Sequence, residues 1–348
     1  MKKIIAIVLA FTLLLILFLF TDKKQENLKE ETLWKENPDK IIFSPPKNGK
    51  DFGEFQKSEL IFVRYANFLK DFAFFTVTMQ DKESGKIVVY ECGYHCKNLF
   101  TELSTLKILS AVFTEEGYRK NLNIGLDSSP KLLLFNSNRV IREMFLGNES
   151  SNRSRRFFET DGKIYSAHPF IFNRFKEGIR AFRENNVFAI GNSGIKKIEF
   201  VSEAKNVKID VSPVTENGIQ KNSYIRISQK KINLDPALGD SLDKNLKNLK
   251  IDRYPDEPNG EGILVAEELV KVKEEKKITV QLSNNAKFIL KIYPLTNIKE
   301  VKLRPIIRQI QDVTESPSYI AEEFYKSIEQ DFENISSAEA FVKALPKK

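Results

Sequence analysis

Residues 72–103 read FAFFTVTMQDKESGKIVVYECGYHCKNLFTEL, and this stretch decides the fold class. Two runs rich in aromatic and β-branched residues, 72–80 and 86–91, indicate strands, and the polar residues between them suit a hairpin connection. After the second run the apolar positions change to a helical spacing that begins with Leu99 and Leu103. The stretch therefore predicts two hairpin strands followed by a helix, with the residues CGYHC at the strand-to-helix corner.

The same order of predicted elements, strands, a helix, strands and a helix, occurs twice along the chain. The first unit covers residues 40–190 and the second covers residues 195–335, with GNSG at 191–194 as the joint. Asp235 suits an N-cap in the second unit, and Pro236 suits the first helical position. Runs of strands that meet a few helices favour an α+β fold, with mostly antiparallel sheets and a helix covering one face of each.

Each predicted helix has one apolar face. The faces are Leu99, Leu103, Leu106, Leu109 and Phe113 in the first helix, which ends at Gly117; Phe172, Phe175, Ile179 and Phe182 in the second; Leu238, Leu242, Leu246 and Leu249 in the third; and Ile320, Phe324 and Ile328 in the last. Because each helix covers its own sheet, we expect the first and third helices to pack in two separate cores.

The N-terminus carries an apolar run from Ile4 to Phe20, preceded by two lysines and followed by a polar segment. Seventeen helical residues span about 25 Å, which is adequate for a membrane with flanking lysines at the interface. The run ends in LILFLF rather than in the small residues of a cleavage site, so an uncleaved anchor at residues 1–21 is favoured over a cleaved signal peptide. A buried helix of a cytosolic protein is the remaining alternative.

An anchor of this kind predicts a single-pass inner-membrane protein with most of its chain periplasmic or otherwise extracytoplasmic. Residues 22–39 form a polar tether, and residues 336–348 form a C-terminal tail. The composition is that of a globular chain, with 41% hydrophobic and 29% charged residues. The net charge of +8 is spread along the chain, and an extracytoplasmic location makes nucleic acid an unexpected partner.

Cys92 and Cys96 are the two cysteines of the chain, and their three-residue separation leaves several interpretations open. A thioredoxin-like redox centre needs two intervening residues rather than three. A copper site needs further ligands, for which His95 or His168 are the candidates. In an oxidising compartment adjacent cysteines most often pair. We therefore favour a structural disulfide, with two unpaired thiols as the alternative.

A second candidate site lies in the predicted hairpin around NRSRRFF. Arg153, Arg155, Arg156 and nearby Lys163 could bind a phosphate or a carboxylated glycan. A solvated hairpin explains the same residues.

The chain lacks the sequence motifs of the common hydrolases and nucleotide-binding proteins. H-E-x-x-H, G-x-S-x-G, a P-loop and G-x-G-x-x-G are all absent from the sequence. Asp and Glu are abundant, and an acid/base pair of a glycosidase cannot be distinguished from solvated carboxylates in such a sequence. We therefore predict a protein that is not an enzyme, with neither catalytic residues nor a cofactor or metal to assign.

The segments IGLDSSPKLLLF, MFLG, RRFFETDGKIY and VFAIGNSGIKKIEF occur in this order between residues 124 and 200. This order resembles the membrane-anchored bacterial family called domain of unknown function 4340. The positions that match the family pattern are Gly125, Leu126, Pro130, Gly147 and Tyr165, with Pro130 one residue later than the commonest spacing. The Gly-Leu-x-x-Pro turn is absent from the second unit. The resemblance implies an N-terminal anchor and a periplasmic accessory protein, often associated with ABC-type transport systems of the gliding-motility kind, and it supplies no catalytic residues.

The sequence is compatible with two functions. The preferred one is a non-enzymatic, anchored interaction protein that serves a membrane-protein complex resembling an ABC transporter and contacts the inner membrane through residues 4–20. The alternative is an envelope protein or enzyme that binds a glycan or a lipid in a cleft between the two units. The sequence says nothing about oligomeric state.

Overall fold

The computed structural model of the protein describes residues 30–46, 56–69, 72–112, 116–125, 129–168, 170–190, 194–216, 218–255, 268, 271–298 and 300–339. The predicted anchor at residues 1–21 lies outside these ranges. So do the first part of the tether, most of the joint at 191–194 and the tail from residue 340. In the ranges that are described, no helix has both the length and the apolar character needed to cross a membrane.

The strands of the described residues are β1 Glu31–Thr32, β2 Lys40–Ser44, β3 Ser58–Leu69, β4 Phe72–Asp81, β5 Ile87–Glu91, β6 Lys107–Ile108, β7 Ser110–Val112, β8 Lys131–Asn136, β9 Arg139–Glu149, β10 Arg156–Thr160, β11 Lys163–Ala167, β12 Ile195–Ser202, β13 Asn206–Glu216, β14 Ile219–Ile227, β15 Lys231–Asn233, β16 Lys276–Leu282, β17 Lys287–Ile292, β18 Thr296–Ile298, β19 Val301–Ile310, β20 Val313–Thr314 and β21 Ser318–Ala321. The helices are α1 Tyr94–Ser104, α2 Glu116–Asn121, α3 Phe170–Asn173, α4 Pro236–Asn248 and α5 Glu322–Ser337, and a 3-10 helix, Arg174–Ala181, continues α3.

Two large antiparallel sheets divide the chain at the joint between residues 190 and 195. The first has the strand order β5-β4-β3-β2-β8-β9-β10-β11-β7, and the second has the order β15-β14-β13-β12-β16-β17-β19-β18, with β20 and β21 also paired to β19. A two-stranded sheet joins β1 to β6. The predicted α+β class with mostly antiparallel sheets is confirmed at this level.

Both sheets follow the same path of the chain. Four consecutive strands run from the middle to one edge, β2 to β5 in the first sheet and β12 to β15 in the second. A helix follows, α1 or α4, and the chain later returns beside the first of the four strands. There β8 pairs with β2, and β16 pairs with β12.

Each sheet is covered by helices through aromatic contacts. Phe100 of α1 lies 5.2 Å from Phe75 of β4, measured between ring centroids, and Phe175 of the 3-10 helix stacks on Phe43 of β2 at 4.2 Å. In the second sheet Phe332 of α5 stacks on Phe200 at 4.5 Å. The helices therefore bury one face of each sheet, as the α+β prediction requires.

The buried apolar side chains of both sheets form one continuous cluster. Leu103 and Leu106 belong to it together with Leu242 and Leu246. The expectation of two separate cores is therefore wrong as a description of the packing, because side chains near the joint connect the two sheets. Whether residues 40–190 and 195–335 unfold as separate units stays a prediction.

Three predicted helices differ in their bounds from the observed ones. The first ends at Ser104 instead of near Gly117, because the chain enters β6 and β7, where Leu109 donates its backbone N–H to the carbonyl of Ser166. The second is interrupted at Gly178, which has a positive φ of 61°, although its predicted face from Phe172 to Phe182 is buried as expected.

The last helix begins only at Glu322, because Ile320 belongs to β21. Its buried face therefore contains Tyr325, Ile328 and Phe332, whereas Phe324 is 56% exposed. The prediction that Phe324 faces the core is wrong.

Helix α4 agrees with its prediction. The Asp235 side chain accepts a hydrogen bond from the Ala237 backbone N–H at 2.9 Å, and Pro236 occupies the first turn. Leu242, Leu246 and Leu249 are buried, and Leu238 packs against the cluster.

Candidate functional site

Cys92 and Cys96 lie at the predicted corner between β5 and α1. Their Cα atoms are 5.6 Å apart, within the range of disulfides, and the structure joins the two sulfurs. Both side chains are buried. Cys92 forms an isolated β-bridge with Arg183, and Gly93 donates its N–H to the carbonyl of Phe182. The corner is thus tied to the segment that leads toward the second sheet, and formation of the disulfide in the oxidised protein stays a prediction.

The two histidines are not brought together with the cysteines into a metal site. His168 is largely exposed, and its Nε2 lies 3.4 Å from a Glu30 carboxylate oxygen. Partial burial and nearby Arg174 lower the pKa of His95. Within the described ranges, no group of three His, Cys, Asp or Glu side chains is placed to hold a metal ion.

Two of the four basic residues of the predicted anion site, Arg156 and Lys163, lie apart in the structure. Arg156 is buried and donates from Nε to the Gly147 carbonyl at 3.0 Å and from Nη1 to Asn173 Oδ1 at 2.9 Å. In the β10–β11 hairpin Arg156 pairs with Ala167, whereas Lys163 pairs with Thr160 at the opposite end. Arg153 and Arg155 belong to the connection that precedes β10. Arg156 is thus occupied by internal partners, and anion binding by the exposed members of the set stays a prediction.

The most concentrated group of buried charges lies instead where the two sheets meet. We call this region the junction, and it consists of the outer edge of β5, Arg308 of β19 and residues 183–187, 249–254 and 315–317. The Ser316 hydroxyl oxygen accepts the Val89 N–H at 2.9 Å, and the Ser316 N–H is donated to the Val89 carbonyl at 2.8 Å. An edge strand of the first sheet is therefore covered by a segment of the second half.

Arg308 lies at the centre of the junction and contacts three segments. Its Nε and Nη2 donate to the two carboxylate oxygens of Glu315 at 2.7 and 2.9 Å. Its Nη1 donates to the backbone carbonyls of Asn186 and Val187 at 2.5 and 3.1 Å. The same nitrogen lies 3.4 Å from a carboxyl oxygen of Glu91. The Arg308 side chain is only 3% exposed, so this network is shielded from water.

Glu315 also reaches back to the first sheet. One of its carboxylate oxygens accepts the backbone N–H of Glu91 at 2.7 Å. Because Glu315 is held by Arg308 at the same time, one carboxylate joins β19 to β5.

Aromatic side chains complete the junction. The Tyr90 and Tyr254 rings meet edge to face at 4.8 Å, and the Arg183 guanidinium lies 3.6 Å from the centroid of the Tyr254 ring. The Tyr254 hydroxyl donates to the Glu184 carbonyl at 2.5 Å. Guanidinium groups stack favourably on aromatic faces, so Arg183 stabilises this contact between the halves.

Burial controls the protonation of the junction. Burial raises the pKa of Glu91 to about 8; Arg308 opposes the rise, and Glu315 and Glu184 add to it. Burial also raises the pKa of Glu315, with Arg308 opposing. Burial lowers the pKa of Arg308, but Glu315 and Glu91 more than offset this and hold it above its ordinary value. Glu315 has the closer bonds to Arg308, so Glu91 keeps a proton at neutral pH.

A second buried ion pair lies on the same strand. Arg304 of β19 donates to the carboxylate of Glu322, the first residue of α5, and to Glu275 at 2.8 Å. Together the two arginines connect β19 to α5, to Glu275 directly before β16 and to the first sheet. The hydrogen bonds of Arg304 and Arg308 therefore join elements of the fold to one another.

The sequence reasoning did not identify Arg308, Glu315 or Glu91. A signal was present in VKLRPIIRQI, where Arg304 and Arg308 alternate with the buried Ile306 and Ile310 on one face of a strand. A charged residue on an inward-facing position of a strand requires a buried partner. The sequence alone does not reveal that the partners lie in distant segments.

The fold and the junction define a two-sheet α+β protein in which buried charges join the halves. The chain belongs to the family described as a domain of unknown function, DUF4340, whose model matches residues 93–287, more than half of its length. No curated protein and no solved structure matches it.

The family-pattern residues that are described form a packing site between strands. Gly147 of β9 lies against the segment before β8, so that a Cβ there would be 2.7 Å from Ile124 and 2.8 Å from the Leu122 carbonyl oxygen. Ser129 closes this segment by accepting the Gly125 N–H at 2.7 Å, and the Pro130 carbonyl accepts the Leu146 N–H at 2.8 Å. These positions specify backbone packing.

Proposed function

We propose that this protein is a non-enzymatic, membrane-anchored extracytoplasmic accessory protein that serves an envelope complex of the ABC-transporter type. The observation that carries the proposal is the bonding of the junction. Its buried ionisable groups, Arg308, Glu315 and Glu91, contact one another and backbone carbonyls across the two halves. Groups used in this way hold two sheets in one arrangement, which suits a protein that presents surfaces to partners.

The location forms part of the same proposal. The apolar run of residues 4–20 anchors the chain in the inner membrane as a single pass, and residues from 22 onward lie on the periplasmic side. The finer architecture, an anchor followed by two repeated units, is also proposed here. The shared chain path of the two sheets supports it.

The alternative function, binding or turnover of a glycan or a lipid, needs a cleft between the two units. At the junction the side chains of Tyr90, Glu91, Arg308 and Glu315 are all buried against each other. This packing favours the accessory role over a cleft at that place.

The location is tested by adding protease to spheroplasts that express the full chain. We expect digestion of the domain after Thr21 and retention of the full-length protein in the membrane after alkaline carbonate washing. A variant that lacks residues 4–20 should leave the membrane fraction. Survival of the full-length band in spheroplasts, or a mature N-terminus near Thr21, would contradict part of the proposal.

The accessory role is tested by photo-crosslinking in intact cells from exposed apolar positions on three different elements. Val140, Ile219 and Phe324 are each more than half exposed, and Lys273, with 80% of its side chain exposed, is the matched polar control. We expect at least one of the apolar positions to crosslink to a transmembrane or extracytoplasmic subunit of a transport system, and Lys273 to give none. Purification of the full chain without a membrane partner, together with turnover of a glycan or lipid, would overturn the role.

A further inference from the structure

The contact between β5 and the segment Glu315–Pro317 consists of few bonds, and none of them belongs to the β5–β4 ladder. On its inner side β5 pairs with β4 through a regular ladder from Thr76↔Glu91 to Gln80↔Ile87. On its outer side, the N–H groups of Val89 and Glu91 donate to side chains, those of Ser316 and Glu315. The third bond, from the Ser316 N–H to the Val89 carbonyl, joins backbone to backbone. Loss of this contact would leave the β5–β4 ladder in place.

Burial, Glu315 and Glu184 favour the protonated form of Glu91, and Arg308 opposes them. Glu91 is on β5, Arg308 is on β19, and Glu315 is in the segment between β20 and β21. The segment after the 3-10 helix contributes Glu184 and Arg183, the latter stacked on Tyr254. An ionised Glu91 would therefore have two carboxyl groups, Glu315 and Glu184, and one guanidinium, Arg308, as the charged groups that act on it.

Ionisation of Glu91 would place a third carboxylate in a region that is closed to water. Arg308 already forms two short bonds with Glu315, and its distance to Glu91 is 3.4 Å. The Glu91 carboxylate would also face Glu315 and Glu184 at low effective dielectric, where like charges repel strongly. Opening the contact hydrates the carboxylate and relieves the repulsion.

We propose that the junction is a proton-dependent latch, in which the segment Glu315–Pro317 covers the edge of β5 while Glu91 is protonated and releases that edge when Glu91 ionises. The pKa of Glu91 is about 8 while the contact is closed and near 4.5 when the carboxyl group is free, so a rise of pH across this interval favours release. This inference concerns the fold itself and goes beyond the proposed accessory function.

Amide hydrogen exchange of the full chain tests the latch at single residues. The reporters are the N–H groups of Val89, Glu91 and Ser316, which cross the junction. Protection factors, which correct for the intrinsic effect of pH on exchange, should fall at least tenfold between pH 6 and pH 9.5. The amides of the β12–β16 ladder should keep their protection, since they lie within one sheet.

Two variants and a control assign the effect to Glu91. Glu91→Gln should keep reporter protection constant over the same pH range. Glu184→Gln removes a carboxyl group that raises the pKa of Glu91, so the midpoint of the loss should move to lower pH. Glu199→Gln, which alters a surface ion pair with Lys208 in the second sheet, should behave like the wild type.

The proposal is overturned if Glu91→Gln loses protection with pH as the wild type does, or if Glu184→Gln leaves the midpoint unchanged. Equal loss of protection in the β12–β16 ladder would also overturn it, because that result describes global unfolding rather than release of one edge. Should Glu91→Gln fail to fold, the Glu184→Gln midpoint decides the question alone.

Discussion

Arg308 holds Glu315 through two parallel hydrogen bonds, from Nε to Oε2 at 2.7 Å and from Nη2 to Oε1 at 2.9 Å. The two-point geometry fixes the orientation of the carboxylate, which leaves Oε1 placed to accept the Glu91 N–H. A bond between the two halves thus depends on the angle of a side-chain pair within the second half.

Replacing Arg308 should strongly destabilise the protein. Arg308→Met leaves Glu315 buried without its cation, and breaking a buried pair typically costs about 3–5 kcal/mol. The double variant Arg308→Met, Glu315→Gln should be more stable than the single one, because the uncompensated charge is gone. Urea unfolding measures both, with Lys208→Met, at an exposed pair, as a control that should change stability by less than about 0.5 kcal/mol. An equal loss of stability in Lys208→Met and in Arg308→Met would contradict the role of Arg308 in a buried ion pair.

Stability should fall as pH rises from about 5 to 8. The folded state holds a proton on Glu91 up to about pH 8, whereas the unfolded chain releases it near the ordinary carboxyl value of 4.5. The stabilising effect is therefore complete below about pH 4.5 and is lost as pH rises through 8, with a slope near 1.4 kcal/mol per pH unit for one proton. Urea unfolding at several pH values should show this slope in the wild type and a clearly smaller one in Glu91→Gln. A shared slope would assign the pH dependence to other groups.

Two glycines in helices should respond oppositely to alanine. A Cβ on Gly239 of α4 would lie 2.1 Å from the Tyr224 ring, so Gly239→Ala should lose about 1–3 kcal/mol by overpacking. Gly117 of α2 has open space around its Cβ position, so Gly117→Ala should gain up to about 1 kcal/mol from helix propensity. Thermal unfolding of the two variants checks the contrast, and a stabilised Gly239→Ala would show that Tyr224 can move aside.

The disulfide should contribute little to stability. It closes a very short loop, so replacing Cys92 and Cys96 with Ser should cost less than the ~3 kcal/mol expected for a fifteen-residue loop. Function should be unaffected. Alkylation followed by mass measurement checks the pairing in the oxidised protein. Loss of function with the fold intact would show that the cysteines have a chemical role.

Core truncations in the two halves should act on the same unfolding transition. Leu106→Ala and Leu246→Ala each remove a buried side chain from the continuous cluster, at a typical cost of about 2–5 kcal/mol. Because the cluster and the junction join the sheets, we expect calorimetry to show one transition in both variants. Two separable transitions for Leu246→Ala, with a protease-resistant fragment ending near Gly194, would restore the prediction of independent domains.

The sequence was sufficient for features set by local patterns. Asp235 and Pro236 mark the start of α4 correctly, because a cap and a first-turn proline act within a few residues. The hairpin between β4 and β5 is equally local.

Features that depend on distant segments could not be predicted in this way. Leu109 has the spacing of a helical face but lies beyond α1, because Ser166 offers its backbone a partner in β11. Phe324 has helical spacing from Ile320, but Ile320 belongs to β21. The helix begins only at Glu322, so the spacing from Ile320 does not predict which face of the helix Phe324 occupies. The partners of Arg308 likewise come from parts of the chain more than 120 residues away as well as from nearby Glu315.

The short β1–β6 pairing determines how mechanical load would enter the domain. The Trp34 indole N–H donates to the Leu103 carbonyl at 2.8 Å, and the N–H groups of Leu33 and Glu36 donate to the carbonyls of Leu106 and Ser104. A pull on the chain ahead of Glu30 would reach these bonds at the end of α1 before it reached either large sheet. Trp34 is buried, so extraction of its ring would be needed before the pull could pass from residues 33–36 to β2 and the first large sheet.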